Sequence, residues 1–426
     1  MIRYKKILKY IAILLFIIII SPVALIGGLL VYWDIRPGPS YTYDPILDLE
    51  TWVAVPSGDD INYQHKSNTD MTYSGGYFYL INQESKWHLE HKQGKLVIRR
   101  SLDAKHWEPI HKIQLPNTDV RDPKFANISG RLYVYFLPNY FFDPGPNTTY
   151  YTYTDDGVNW APPKEMKVNV TFRYDNGTVQ DKIVGGWNFW RPKTFDGTDW
   201  YVMATGRKYQ TSSTLHDYDV SNTISVLLKS TDGENWTEVS EVLTRWGNAE
   251  VCLEFLPDGK LLSTHRVGSM STIEGYAFGN PHGGTILATS YNNYKNWSFM
   301  PDLQTRFDGA TLFPLDGRSR IFGVGRNHLG PRTDMGNHLT EKRTAFYEVR
   351  SDKMIHLFDL PSHGDTAYTG VVVRNGWIYA SYYTCPVGRG DFPWIMGIGF
   401  RTKTEIHIAK VNATGLLTYA NKLGGL

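Results

Sequence analysis

Hydrophobic positions fall into two regimes along the chain. Residues 11–33 carry no charge at all, and Arg3, Lys5, Lys6 and Lys9 stand just before them. An uncharged run of about 20 residues is long enough to cross a bilayer as a helix, and basic residues on its N-terminal side keep that side in the cytoplasm. We read a single-pass signal-anchor with the rest of the chain outside the cell. A cleaved signal peptide is the alternative, since Pro22 and Gly27-Gly28 interrupt the run. Arg36-Pro37-Gly38-Pro39-Ser40 then reads as a short stiff linker. Beyond it the pattern changes. Apolar residues alternate with polar ones or run for only four to eight positions, bounded by Gly, Pro, Asn and Asp, which predicts short strands and tight turns.

These strands repeat. Six segments share an apolar strand, a turn with glycine and a second apolar strand: Y-S-G-G-Y-F-Y-L, N-I-S-G-R-L-Y-V-Y-F, F-D-G-T-D-W-Y-V-M, L-P-D-G-K-L-L, L-D-G-R-S-R-I-F-G-V and V-R-N-G-W-I-Y-A-S-Y. Four more follow a strand and share a small hydroxyl residue, Asp or Asn two positions on, and a tryptophan. They begin at Ser101, Thr154, Ser230 and Ser290 and end at Trp107, Trp160, Trp236 and Trp297. A repeat of roughly fifty residues holding four strands is the size of a propeller blade. The expected fold is all-β, a six-bladed β-propeller whose four-stranded meanders start near Asp70, Arg121, Trp190, Glu250, Asp308 and Asp365. One N-terminal transmembrane helix precedes it. The expected division is a cytoplasmic stub and anchor over 1–34, a linker and lead-in segment over 35–60, and the propeller over 61–426.

Composition refines the picture in three places. Lys plus Arg (44) nearly balances Asp plus Glu (42), so no basic excess points to nucleic acid. Asn127, Asn147, Asn169, Asn176, Asn235, Asn296 and Asn412 open glycosylation sequons, in keeping with an exported chain. The two cysteines, Cys252 and Cys385, match no metal motif, and only geometry decides whether they pair.

Propeller sites lie at one mouth of the central channel, where each blade's first strand begins. Polar residues recur there: Asp70 and the following His88 in the first blade, Arg121-Asp122 in the second, Trp190-Arg191 in the third, Glu250 with His265-Arg266 in the fourth, Asp308 with Arg326 in the fifth, and Asp365 with Tyr368 in the sixth. Charges are seldom buried without partners, so such a ring implies either a polar pocket or salt bridges between blades.

The tryptophan turns resemble the Asp box of the sialidase (neuraminidase) superfamily. R-D-P-K, N-A-E-V-C-L-E-F-L-P-D-G and L-P-S-H-G-D-T-A-Y-T-G further resemble bacterial and archaeal sialidase-like proteins, over roughly residues 60–412. The resemblance implies a glycosidase in which Glu250 partners a nucleophilic Tyr368 while Arg266 and Arg326 clamp an anionic group. Asp70 and Asp122 become acid/base or orienting groups. Arg121, Arg191, Asp365, His88 and Trp190 complete the substrate-binding set. The sequence departs from the family at the first arginine of the clamp, where T-D-M-T stands, and at the acid/base loop, which here is Q-E-S-K-W-H-L-E-H with Glu84, His88, Glu90 and His91. R-D-P with a later Glu-x-Cys also resembles invertase-type propellers, which would unite Asp70, Asp122 and Glu250. The reading is thus an extracellular, membrane-anchored glycoside hydrolase acting on terminal sugars of glycans, with no metal or cofactor. The alternative is a non-catalytic propeller that binds glycans or builds the cell surface.

Overall fold

The computed structural model describes residues 2–90, 92–139, 148–173, 177–206, 223–244, 248–267, 284–302, 306–330, 339–388, 390–400 and 403–424. His91 and the sequon residues Asn147 and Asn176 lie outside them. The uncharged run forms helix α1 (Ile2–Ile35), and its Lys9–Trp33 stretch has mean hydropathy 2.9. It is long and apolar enough to cross a membrane, a profile that a signal sequence shares.

The remaining chain is an all-β propeller. Five sheets are four-stranded antiparallel meanders, with inner strands His65–Ser74, Asp119–Ile128, Asn248–Phe255, Asp308–Leu315 and Ala367–Arg374. The expectation of six such blades is corrected to five. The stretch expected to form the third blade builds a seven-stranded sheet instead. Its inner strand is split into Trp187–Phe189 and Lys193–Thr194 around Trp190-Arg191-Pro192. Proline has no N–H to give a ladder, and here it sits in the break. An inserted hairpin, Val168–Arg173 with Val179–Val184, adds to the outer edge, where Val168 and Asn169 pair in parallel with Trp236 and Thr237. The spacing from Arg121 to Trp190 is the longest between successive blade starts, and this hairpin is what fills it.

The inner strands stand side by side around the channel. Apolar side chains of adjacent sheets fill the space between them, for example Phe313, Phe322 and Phe346 against Tyr382 and Ile378. The ring is closed by the N-terminal side of the chain. Strand Glu50–Val55 pairs with Glu405–Asn412 and becomes the outermost strand of the last sheet. A C-terminal helix that the strand pattern does not announce (α3, Ala413–Gly424) buries Leu416 and Ala420 beside Leu47. A shorter helix, α2 (Trp394–Gly399), lies in the insertion between the last two strands.

The aspartates of the tryptophan turns serve the backbone. Asp103 accepts from the amides of Lys105 and His106, Asp156 from Val158 and Asn159, and Asp232 from Glu234 and Asn235, all at 2.7–2.9 Å. Asp196 makes the same bonds to Thr198 and Asp199 at the split sheet. Cys252 and Cys385 are free, buried thiols in different clusters.

Candidate functional site

All five four-stranded sheets carry the same defect. Near its start, each inner strand slips register against the second strand, between Ser67 and Asp70, Arg121 and Lys124, Ala249 and Cys252, Asp308 and Thr311, and Ala367 and Gly370. At each slip the chain takes a positive φ, at Asn68 (47°), Asp122 (53°), Glu250 (49°), Gly309 (61°) and Tyr368 (48°), the last preceded by Ala367 (100°). A bulge with a left-handed residue bends the strand and re-aims a side chain. All but Gly309 are non-glycine residues, so the backbone bears a cost of order 1 kcal/mol or more at each. The repeated bulge turns Asp122, Glu250 and Tyr368 out of the blade ladder at one mouth of the channel.

There Tyr368 Oη donates to Glu250 Oε1, and the Arg266 guanidinium bonds the same oxygen. Gly309 N donates to Glu250 Oε2 at 2.6 Å. Burial, reinforced by the charges of Glu250 and Asp122, raises the Tyr368 phenol well above its ordinary range. The phenol therefore keeps its proton until a base takes it. Asp122 is raised by burial, only partly offset by Lys124 and Arg121, and it feels the charges of both Glu250 and Arg266.

Glu250, Tyr368 and Arg266 face a pocket of about 360 Å³ that is also lined by His88, Arg306, Asp308, Arg326, His328, Lys342 and Trp394, while Asp122 is not among its lining residues. Asp308 accepts from Arg306 Nε at 2.9 Å and lies 3.0 Å from His328 Nε2. Burial opposes its charge, but Arg306, His328 and Arg266 outweigh burial and hold it well below the usual carboxylate range. His328 Nδ1 is 2.7 Å from Lys342 Nζ. Burial lowers His328 to about 3 and Lys342 to about 7. Arg326 donates to Thr366 O at 2.8 Å and to Tyr383 Oη at 3.2 Å. The buried Arg306 Nη1 has no hydrogen-bond partner among the described residues. Three guanidinium groups and the Lys342 amine outnumber the carboxylates of Glu250 and Asp308 around this cavity, a balance that suits an anion.

Of the residues singled out from the sequence, Glu250, Tyr368, Arg266, Asp308, Arg326 and His88 line this pocket. Asp365 stands behind its wall. It accepts from Tyr383 Oη at 2.9 Å and Trp394 Nε1 at 3.0 Å, and lies 2.6 Å from His88 Nδ1. Burial works against its charge, but His88, His65 and Arg326 prevail and keep Asp365 ionised. Arg121 bonds Asp119 and the carbonyls of His88 and Glu90, so it supports the His88 loop. Asp70 and Arg191 meet each other at 2.6 Å deeper in the channel, where Asp70 also caps the amides of Met71 and Phe125. Trp190 is buried beneath Tyr368, with Lys124 over its ring. Trp187 and Tyr382 are core residues, so the aromatics of the pocket are Tyr368 and Trp394.

Sequence reasoning missed Arg306, His328, Lys342 and Trp394. Arg306 precedes inner strand Asp308–Leu315 much as Arg121-Asp122 opens Asp119–Ile128, a positional signal that was available. Lys342 and Trp394 arrive from a third strand and an insertion, where no repeat marks them.

Among the described residues, donor atoms of His65, His88 and Asp365 lie within 4.8 Å of one another, a set that could hold a metal. Two ligands on one tetrahedral zinc at about 2.0–2.1 Å would stand roughly 3.3 Å apart. The 2.6 Å contact of His88 with Asp365 is instead a direct hydrogen bond, and Arg326 lies 3.9 Å from the same carboxylate. The set as built is a hydrogen-bonded dyad.

No protein-family profile and no curated protein matches the sequence. Solved structures do. Trypanosoma rangeli sialidase in complex with the inhibitor DANA superposes with TM-score 0.57 at 11% identity, covering 88% of this chain and 61% of the sialidase. This chain therefore spans less than two thirds of that enzyme. The phage phi92 endosialidase gives 0.56 at 10% identity, over 86% of this chain and 69% of its own. A Dyadobacter fermentans protein of unknown function gives 0.56 at 14% identity, over 85% of this chain and 99% of its own. Likeness at such identities speaks for architecture alone. With the propeller, its five regular blades and its enlarged sheet in view, the chain has the sialidase-like β-propeller fold.

Proposed function

We propose that this protein is a sialidase-like glycoside hydrolase, anchored outside the cell by α1, that acts on terminal anionic sugars. The observation that carries the reading is Tyr368 donating to Glu250 inside a pocket that also holds Arg266, Arg306 and Arg326. A tyrosine is a weak nucleophile unless a base takes its proton, and Glu250 is in place to do so. The arginines face the substrate's anionic group, with Arg306 supplying the clamp member that the sequence lacks in its first blade.

The leaving oxygen needs a proton donor. Asp70 is spent on Arg191 and two amides, Asp308 is held ionised, and both nitrogens of His328 are engaged. His88 lines the pocket with Nδ1 fixed by Asp365, which leaves Nε2 for the reaction. In the first step the bond from the anomeric carbon to the leaving oxygen breaks. His88 gives its proton to that oxygen while Tyr368 Oη bonds the carbon and Glu250 takes the phenol proton. In the second step water attacks the carbon and passes a proton to His88, and Tyr368 departs with the proton from Glu250. Asp122, whose carboxyl is raised by burial, does not line the pocket and acts on Tyr368 and Glu250 through its charge.

A screen of the protein against chromogenic glycosides, sialosides included, tests the reading, and a chain that cleaves none of them defeats it. A second reading has its own observation. The carboxylates of Asp70, Asp119, Asp308 and Asp365 are all engaged by basic partners, as a non-catalytic glycan receptor would require. Sugar binding without turnover, undiminished in Glu250→Gln, would select it.

A further inference from the structure

The two faces of the propeller are not equivalent in how they meet α1. Leu30 and Trp33, at the end of the apolar stretch, pack against Cys385, Phe392 and Met396. Those three residues belong to the insertion that leaves the last sheet after strand Trp377–Thr384. That strand ends level with the start of inner strand Ala367–Arg374, since Tyr383 pairs with Ala367, so the insertion sits on the mouth face. Arg36 then donates to Glu341 at 2.8 Å, next in sequence to the pocket residue Lys342. Tyr41 Oη donates to Ser362 O at 2.9 Å, three residues before Asp365. Three successive contacts thus fasten the end of α1 and the segment after it to the mouth.

This placement sets how far the pocket can be from a bilayer. Met396 touches the foot of α1, and Trp394 lines the pocket from the same helix, α2. At 1.5 Å per residue α2 is only about 9 Å long. With Lys9–Trp33 spanning the membrane, Tyr32 and Trp33 fall at the interface that such aromatics favour. The pocket wall then stands roughly 10 Å from the headgroup layer. Leu329 and Leu339, on segments joined by the bond from Leu329 N to Glu341 O, and Val387 and Phe400, in the insertion that carries α2, are exposed and suited to the layer's apolar depth. A sugar borne by a lipid is presented to such a mouth, whereas a soluble glycan must enter between rim and membrane.

We propose that the pocket is turned toward the bilayer and takes the anionic sugar headgroup of a membrane lipid. The orientation stands on the geometry above, and turnover of the headgroup rests on the glycosidase reading. The test uses the full chain in phosphatidylcholine nanodiscs that contain headgroup spin-labelled lipid. A fluorophore is placed on Phe400→Cys at the rim, and separately on Leu102→Cys in a turn of the opposite face. Both native thiols are buried, so labelling is selective. Quenching at least twofold stronger at position 400 is expected, and equal or weaker quenching there overturns the orientation. In a second arm sialyllactose is offered free and as the same sugar on ceramide in the discs. A preference of about tenfold or more in kcat/KM for the lipid form is expected. Equal use of both, or preference for the free sugar, overturns the substrate class while leaving the glycosidase reading intact. If neither is cleaved, turnover of a sialoside and the lipid assignment fall together, and the quenching still decides the orientation.

Discussion

At the scale of single residues the site is defined by one oxygen pair. Glu250 accepts from Tyr368 and Arg266 on one oxygen and from Gly309 on the other. Glu250→Gln keeps the shape and removes the base. Turnover should fall by about 10²- to 10⁴-fold, the usual contribution of a positioned proton acceptor. Thermal unfolding should move by no more than a few degrees, and a large drop in melting temperature with little loss of turnover would make Glu250 structural. Lys342 gives a pH dependence. Burial lowers its ammonium to about 7, among the charges of Asp308, Arg326, Arg306 and Glu341. Below that pH the pocket gains a positive charge, and a bound anion favours the protonated form. Affinity for an anionic sugar should therefore be highest below about 7 and decline as pH rises through it. KM or Kd measured from pH 5.5 to 8.5 shows this, and Lys342→Met should flatten the curve.

At the scale of strands the repeated bulge is the device that builds the site. Its cost is local and its gain is direction, since a regular inner strand would send Glu250 and Tyr368 into the ladder between blades. Gly309 occupies the bulge of inner strand Asp308–Leu315, where φ is 61° and a Cβ would lie 2.7 Å from Tyr368 Cδ2. Gly309→Ala should displace Tyr368 and reduce kcat by about 10²-fold, the penalty for an ångström of misplacement. Circular dichroism should stay that of a folded propeller. A different pairing ties the inner strands together below the mouth. Arg191, from the broken strand of the seven-stranded sheet, reaches Asp70 in the first blade and Thr311 and Thr369 O in two others. Removing one partner leaves a buried charge alone, so Asp70→Asn or Arg191→Met should each cost about 3–5 kcal/mol in denaturant unfolding. Turnover at low temperature should persist, and if it vanished with stability unchanged, Asp70 would belong to the chemistry.

At the scale of the molecule the propeller depends on its first strand. Glu50–Val55 closes the last sheet by pairing with Glu405–Asn412, while Leu47 packs with Leu416 and Ala420 of α3. A chain shortened to begin at Tyr41 should fold, because it keeps both. A chain beginning at Ile61 should lose cooperative unfolding, since the outer strand and its side chains are gone and an edge is exposed. Differential scanning calorimetry of the two separates these outcomes, and equal melting temperatures would refute closure by this strand. Orientation is testable on intact cells, where protease should shave the propeller if α1 anchors it outside.

The sequence by itself determined what is local or periodic. Alternation over four to eight residues made the chain all-β. The recurring turns gave the propeller because each aspartate bonds amides two or three positions away, as Asp232 does. That Glu250, Arg266, Arg326 and Tyr368 would meet was legible because inner strands begin and second strands end at the same mouth, so position within a repeat predicts position in space. Tertiary structure decided what depends on neighbours distant in sequence. The third repeat became a seven-stranded sheet because a hairpin before it found a free outer edge. Asp70 and Arg191 looked like pocket residues from their places in the repeat, yet they satisfy each other 121 positions apart. Arg306, Lys342 and Trp394 entered the pocket from segments without a repeating signature, and the foot of α1 met the mouth through contacts no linear pattern encodes. A strand's period is written residue by residue, but which buried charge answers which is settled only when the ring closes and water is excluded.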